Sequence, residues 1–263
     1  MKIGIIGAGL IGKTLAEKLS SVGHQIKIAD AKGIDPIQST ARNVGAKAVS
    51  MTEIAEEIDL LIISIPLFAI PDLAASLKGK IGKDVVIVET TNYWPHRDGN
   101  IEGLGRGMVN SVWVQQHFDR PIVKAFSNIN AYSFKMEGKP KGSTGRIALA
   151  VASDDRQSKE LVLELIDTIG FDALDAGLLE DSWRQQPCSP AYCTDLTIDQ
   201  LDAARKSAQR ELLEEKQKLA FEKMQDFGDE YFTSLTSGEY PEGFVDYAVD
   251  IFRSINGLPE RNN

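Results

Sequence analysis

The stretch KIGIIGAGLIGKTLAEKL, residues 2–19, holds an apolar run, a glycine-rich turn and the start of a helical pattern. Lys2–Ile6 reads as a buried strand. From Leu10 onward, Leu10, Ile11, Leu15, Leu19 and Val22 share one helical face, and Gly23 stops the pattern. Gly7, Gly9 and Gly12 mark the turn between the two. A parallel strand feeding a helix leaves the helix's first amides unpaired, and those donors suit a pyrophosphate. In that frame Gly7 permits the tight turn. Gly9 removes a side chain where phosphates lie, and Gly12 lets the helix pack close to the strand. The next strand supports this reading. QIKIAD (25–30) alternates and ends in Asp30, 18 residues beyond Gly12. An acid at that place accepts hydrogen bonds from both adenosine ribose hydroxyls. The opening of the chain therefore reads as a dinucleotide-binding unit.

Asp30 also bears on which dinucleotide binds. Its carboxylate repels a 2′-phosphate and so favours NAD(H). Lys32 is either a partner for such a phosphate or a solvated surface lysine.

The same alternation continues along the chain. A short helix is expected around Ile37–Asn43, a strand near Ala46–Val49 and a helix from Thr52. IDLLIISIP is a near-continuous apolar strand ended by Pro66, of the kind found in a parallel sheet covered on both faces. FAIPDLAASL reads as helix and DVVIVE (84–89) as strand. The segment 92–103, NYWPHRDGNIEG, is turn-rich and reads as too polar for the core. PIVKAF (121–126), RIALAVA (146–152) and FDALDA (171–176) read as strands, with an amphipathic helix over Lys159–Ile169. Repeated strand–helix alternation gives the fold class: α/β, a doubly wound, mostly parallel Rossmann sheet. A helical C-terminal extension completes it. Two domains are expected, a dinucleotide-binding oxidoreductase domain over 1–196 and the extension over 197–263.

Net charge is −9 with no basic patch, which argues against a nucleic-acid partner. No apolar run approaches membrane-spanning length, so no membrane partner is expected and the cytoplasm is the default location. Cys188 and Cys193 lack metal-ligand spacing and read as reduced thiols, with no metal expected.

In open α/β sheets ligands sit outside the carboxyl ends of the strands. Three such ends face the crevice on this reading: Ser64–Pro66, Glu89–Asn92 and Lys124–Asn128. With these pieces in order, the chain resembles the deazaflavin-dependent NADP oxidoreductases. Their domain also forms the cytoplasmic part of six-transmembrane metalloreductases. The resemblance runs from Met1 to about Leu196. It is carried by GIIGAGLIG, LLIISIP, VIVETTNYWPHRDG, IVKAFSNINA, GRIALAVASDD and FDALDAGLLEDSWRQQP.

The resemblance implies NADP(H) and hydride transfer to or from a flat redox ring, with flavin or deazaflavin as second substrate. It also implies that Gly7, Gly9, Leu10, Ile11 and Gly12 hold the pyrophosphate, and that Asp30, Ala31 and Lys32 hold the adenosine ribose. Ser64, Ile65 and Pro66, with Thr90 and Asn92, flank the nicotinamide, and residues near Ser127 face the second ring. Two positions depart from relatives. Ala31 and Lys32 stand where many carry a serine–arginine pair, and Ser127 stands where some carry a histidine.

Ring-to-ring hydride transfer asks for orientation rather than acid–base groups. Asn92, Ser127 and Asn128, with Thr90, are the expected positioning residues. The alternative is a dehydrogenase of a small carbonyl or imine, which needs a proton donor. His96, His117, Lys124 and Tyr93 are its candidates. A non-enzymatic nicotinamide sensor is a third reading, motivated by the charged helix after Asp195. There Ile198, Leu201, Ala208, Leu212, Leu219 and Phe227 form one apolar stripe. That stripe faces either its own domain or a second copy in a homodimer. Trp94 is expected to stack on a ring or to pack, and 181–192 to form a lid.

Overall fold

The structure, a computed structural model, describes residues 1–261, apart from the side chains at 235 and 236. The chain opens with β1 (Lys2–Ile6), α1 (Leu10–Ser21), β2 (Gln25–Ala29), α2 (Ile34–Asn43) and β3 (Ala46–Ala48). Next come β4 (Leu60–Ile63), α3 (Ile70–Leu77), β5 (Val86–Glu89), the short α4 (Pro95–Asp98), α5 (Asn110–Phe118) and β6 (Val123–Lys124). After these stand α6 (Ala131–Met136), β7 (Ala148–Val151), α7 (Arg156–Thr168) and β8 (Asp172–Asp175). The C-terminal part holds the helices α8 (Ile198–Ser207), α9 (Leu213–Asp226), α10 (Asp229–Ser237) and α11 (Phe244–Ser254).

The six-stranded sheet is parallel, in the order β3-β2-β1-β4-β5-β6. This is the doubly wound Rossmann arrangement, and the strand order reverses between β1 and β4. β7 and β8 pair with each other and join the edge through an antiparallel bridge between Lys124 and Ala152. Apolar side chains fill both faces. Ile3, Ile5, Leu15, Leu19 and Ile62 pack on one, and Ile6, Leu61, Ile63, Leu67 and Ile70 on the other.

Four expectations are corrected. No helix starts at Thr52. Residues 51–57 form turns, and Glu57 in the left-handed region redirects the chain into β4. The β6 strand is two residues rather than six, because Phe126 adopts φ 56° and turns the chain away. The segment after Asn92 is not all exposed loop. Tyr93, Trp94, Asp98 and Leu104 are buried, and the Asp98 carboxylate accepts from the Trp94 amide at 2.9 Å. The charged C-terminal stretch is not one helix, because Ala208 and Gln209 are extended and divide α8 from α9.

That division splits the apolar stripe. Leu201 and Ala204 of α8 pack against the alanines of β7. Ala220 and Met224 of α9 share a core with Phe244 and Phe252 of α11, and with Trp94, Cys188 and Tyr192. Ile198 and Leu219 stay exposed.

A buried ion pair ties β5 to β6. Lys124 Nζ lies 3.2 Å from Glu89 Oε1, with both side chains fully buried. Glu89 also accepts from the Thr91 amide (2.7 Å), the Thr91 hydroxyl (2.6 Å) and the Ser111 hydroxyl (2.6 Å). Lys124 donates to the Thr91 carbonyl as well. Burial pulls the Lys124 ammonium down from its usual range, and the Glu89 carboxylate opposes that shift. Removing one member leaves an uncompensated charge in the core. Lys124→Met is therefore expected to cost about 3–5 kcal/mol in urea unfolding. Adding Glu89→Gln should recover part of that loss, because it removes the charge and keeps an oxygen for the Thr91 and Ser111 donors.

Candidate active site

A crevice of about 850 Å³ runs along the carboxyl ends of β1, β2, β4 and β5. Its floor is the turn from β1 to α1. Gly7 has φ 106° and donates its amide to the Ala29 carbonyl at 2.8 Å. A Cβ on Gly7 would sit 2.1 Å from the Ser64 carbonyl oxygen, and one on Gly12 would sit 1.9 Å from the Gly7 carbonyl oxygen. Neither distance is physically tolerable, so α1 is pressed against the turn only because both residues lack a side chain. Gly9 differs: a Cβ there would meet nothing within 4 Å. Its empty side faces the crevice, and no side chain caps α1. The first amides of a 12-residue helix thus open onto the cavity. This is a cradle that a diphosphate would fill, and the residues present fit such a group.

Asp30 ends β2 beside this cradle. One carboxylate oxygen accepts from the Ala8 amide at 2.9 Å and the other from the Lys32 amide at 3.0 Å. Lys32 and Thr40 line the same end. At the other end stand Ser64, Ile65, Pro66, Thr90, Thr91 and Asn92. Asn92 Nδ2 donates to the Ser127 carbonyl at 2.9 Å, leaving Asn92 Oδ1 buried without a partner. The Ser127 hydroxyl is also buried and unpartnered. Arg97 donates to the Asn92 carbonyl at 2.5 Å and is fixed by Asp98 at 2.9 Å.

Of the residues singled out from sequence, Gly7, Gly9, Leu10, Ile11, Asp30, Lys32, Ser64, Ile65, Pro66, Thr90 and Asn92 line this one crevice. Gly12 is buried behind it, and Ala31 is exposed outside the lining. Ser127 and Asn128 are buried beneath the surface rather than lining it. The Asn128 side chain is occupied structurally, accepting from the Ala150 amide at 3.1 Å. The proton-donor candidates are dispersed. Lys124 is sealed in its ion pair, His117 bonds the Trp113 carbonyl on α5, and His96 and Tyr93 face a different cavity.

Two further lining residues are Trp94, expected to stack or to pack, and Tyr192, the last residue of the segment expected as a lid. Tyr192 arrives from the segment before α8, and Trp94 meets it edge-on with ring centroids 6.1 Å apart. Burial pushes the Tyr192 phenol well above its usual range, with the neighbouring Cys193 adding to the shift, so it stays protonated.

A glycine cradle thus lies at the Rossmann switch point, with an acid directly after β2. Residues 2–93 match the family described as NADP oxidoreductase, coenzyme F420-dependent. This is a pyridine-nucleotide oxidoreductase family, as the sequence resemblance implied. The match spans β1 to β5 and the start of the segment beyond, and stops short of Leu196.

The Escherichia coli (strain K12) protein YjhV is 46% identical over 56 residues, covering 21% of this chain and 41% of its own length. The aligned stretch thus spans about two fifths of that relative. The hypothetical protein SMa0349 of Sinorhizobium meliloti superposes with TM-score 0.64 at 25% identity, over 73% of this chain and 93% of its own. Glycerol-3-phosphate dehydrogenase of Coxiella burnetii superposes with TM-score 0.56 at 16% identity, over 98% of this chain and 81% of its own. It therefore shares the fold through the C-terminal helices.

Gly9 and Gly12 separate binding from folding. Gly9→Val places a side chain in open space, so it should leave the thermal midpoint nearly unchanged and weaken dinucleotide binding at least about tenfold in a calorimetric titration. Gly12→Ala should instead destabilise the fold by about 1–3 kcal/mol through overpacking, measured by urea unfolding.

Proposed function

We propose that the crevice binds NADP(H), and that the protein passes hydride between the nicotinamide and a flat redox ring of flavin, deazaflavin or quinone type. The carrying observation is the crevice itself. It joins an uncapped helix N-terminus and an open Gly9 at one end to Asn92, whose buried Oδ1 is unpartnered, at the other. When bound, the nicotinamide supplies the hydride chemistry. The chain's own residues bind and orient. The α1 amides meet the diphosphate. Asn92 Oδ1 accepts from a carboxamide, and Pro66 and Ile65 wall the ring from water.

Lys32 supports the phosphorylated cofactor. Both Asp30 oxygens already accept backbone amides, which softens the repulsion of a 2′-phosphate, and Lys32 lines the same end. Lys32→Glu is expected to weaken NADPH binding at least about tenfold while leaving NADH within about twofold. Equal effects on both would point to NAD(H).

The chemistry is supported by what the nicotinamide end lacks. Among the described residues its titratable groups are Arg97 and Tyr192, and the histidines face elsewhere. A ring-to-ring hydride step needs no more than alignment. Turnover of NADPH with a panel of flavins, deazaflavin and quinones should therefore be nearly flat in pH between about 6 and 9. Tyr192 favours one competing reading, in which its protonated phenol serves a carbonyl or imine substrate. Activity confined to carbonyls or imines and abolished by Tyr192→Phe would replace the flat-ring reading.

A further inference from the structure

A second cavity, of about 880 Å³, lies on the far side of Trp94, between the 93–110 segment and α9. Its walls are aromatic. Trp94 stands on one side, and His96 and Phe221 face each other nearby with ring centroids 4.7 Å apart. Burial, and then Arg97, pull the His96 imidazole below its usual range, so this wall is neutral near pH 7. Leu104 and Met108 extend the apolar lining.

The polar part of this cavity is built for an acceptor. Asn110 is only 3% exposed, and its Nδ2 has no hydrogen-bond partner. A buried donor left unpaired costs about 1–3 kcal/mol, a penalty that an incoming acceptor removes. Asn110 also begins α5, a nine-residue helix whose first amide donates to Gln186 Oε1 at 2.9 Å, and both residues line the same space. Arg210 lines the rim, its guanidinium held by the Gly107 carbonyl and resting 5.7 Å from the Trp183 ring centroid. Arg106 lines it as well. Lys218 pairs with Glu214 at 2.9 Å and Arg106 with Glu102 at 3.9 Å, which leaves Arg210 as the rim cation beside the Glu211 carboxylate.

We propose that this cavity binds a small aromatic carboxylate. Its ring would lie against Trp94 and the His96–Phe221 pair, and its carboxylate would be received by Asn110 Nδ2 and Arg210. The proposal stands on this cavity alone and does not require the dinucleotide reading.

The test titrates the full chain calorimetrically with 3-phenylpropionate and with its neutral amide. The acid should bind saturably at one site with Kd below about 1 mM, and the amide at least about tenfold more weakly. Asn110→Asp keeps the shape but reverses the sign, and Arg210→Gln removes the rim cation. Each should weaken the acid at least about tenfold. Should Asn110→Asp fail to fold, the exposed Arg210→Gln decides. The proposal is overturned by the absence of saturable binding up to about 10 mM acid, by equal binding of acid and amide, or by wild-type affinity in either folded variant.

Discussion

The distance between Gly12 and the Gly7 carbonyl leaves no room for one carbon atom, and much of the molecule depends on it. With α1 seated on the turn, its first amides are carried over the ends of β1 and β4, where the strand order reverses. Gly7 makes the same approach to the Ser64 carbonyl, which brings the end of β4 against the turn. The crevice is the space left when these backbones meet so closely. Asp30, bound to the Ala8 amide, then closes the turn from the β2 side.

The other end of the crevice depends on charge rather than on close backbone contact. Thr91 bonds Glu89 through both its amide and its hydroxyl, and Lys124 grips the Thr91 carbonyl from below. Asn92 is the next residue, so a buried ion pair fixes where its amide points. The desolvation of two charges is offset here by several short hydrogen bonds to fixed partners. A network of this kind defines one geometry, and a ring-positioning surface needs that more than it needs reactive groups.

What could be read from the sequence was local. Period-two and helical patterns located β1, α1, β2, β4 and β5, and the glycine spacing with Asp30 located the binding turn, because each signal lies within a few residues of its effect. What escaped depends on contacts distant in sequence. Trp94 lies in a polar-looking segment, yet its burial is supplied by Tyr192 and Phe252. Tyr192 reaches the crevice from a hundred residues past Asn92; the 181–192 segment is expected to return there as a lid, but no periodicity marks which of its residues lines the site. Phe126 turns through a left-handed conformation that a phenylalanine does not advertise, which shortens β6 and sinks Ser127 and Asn128. The extended pair at Ala208 and Gln209 breaks a segment whose composition favours an unbroken helix. The apolar residues on either side of it answer to two different cores.

Trp94 lines both the crevice and the neighbouring cavity. One indole therefore borders two compartments built from different parts of the chain. Its ring packs on Tyr192 and Phe252, so the wall shared by the two is held by the C-terminal helices rather than by the sheet.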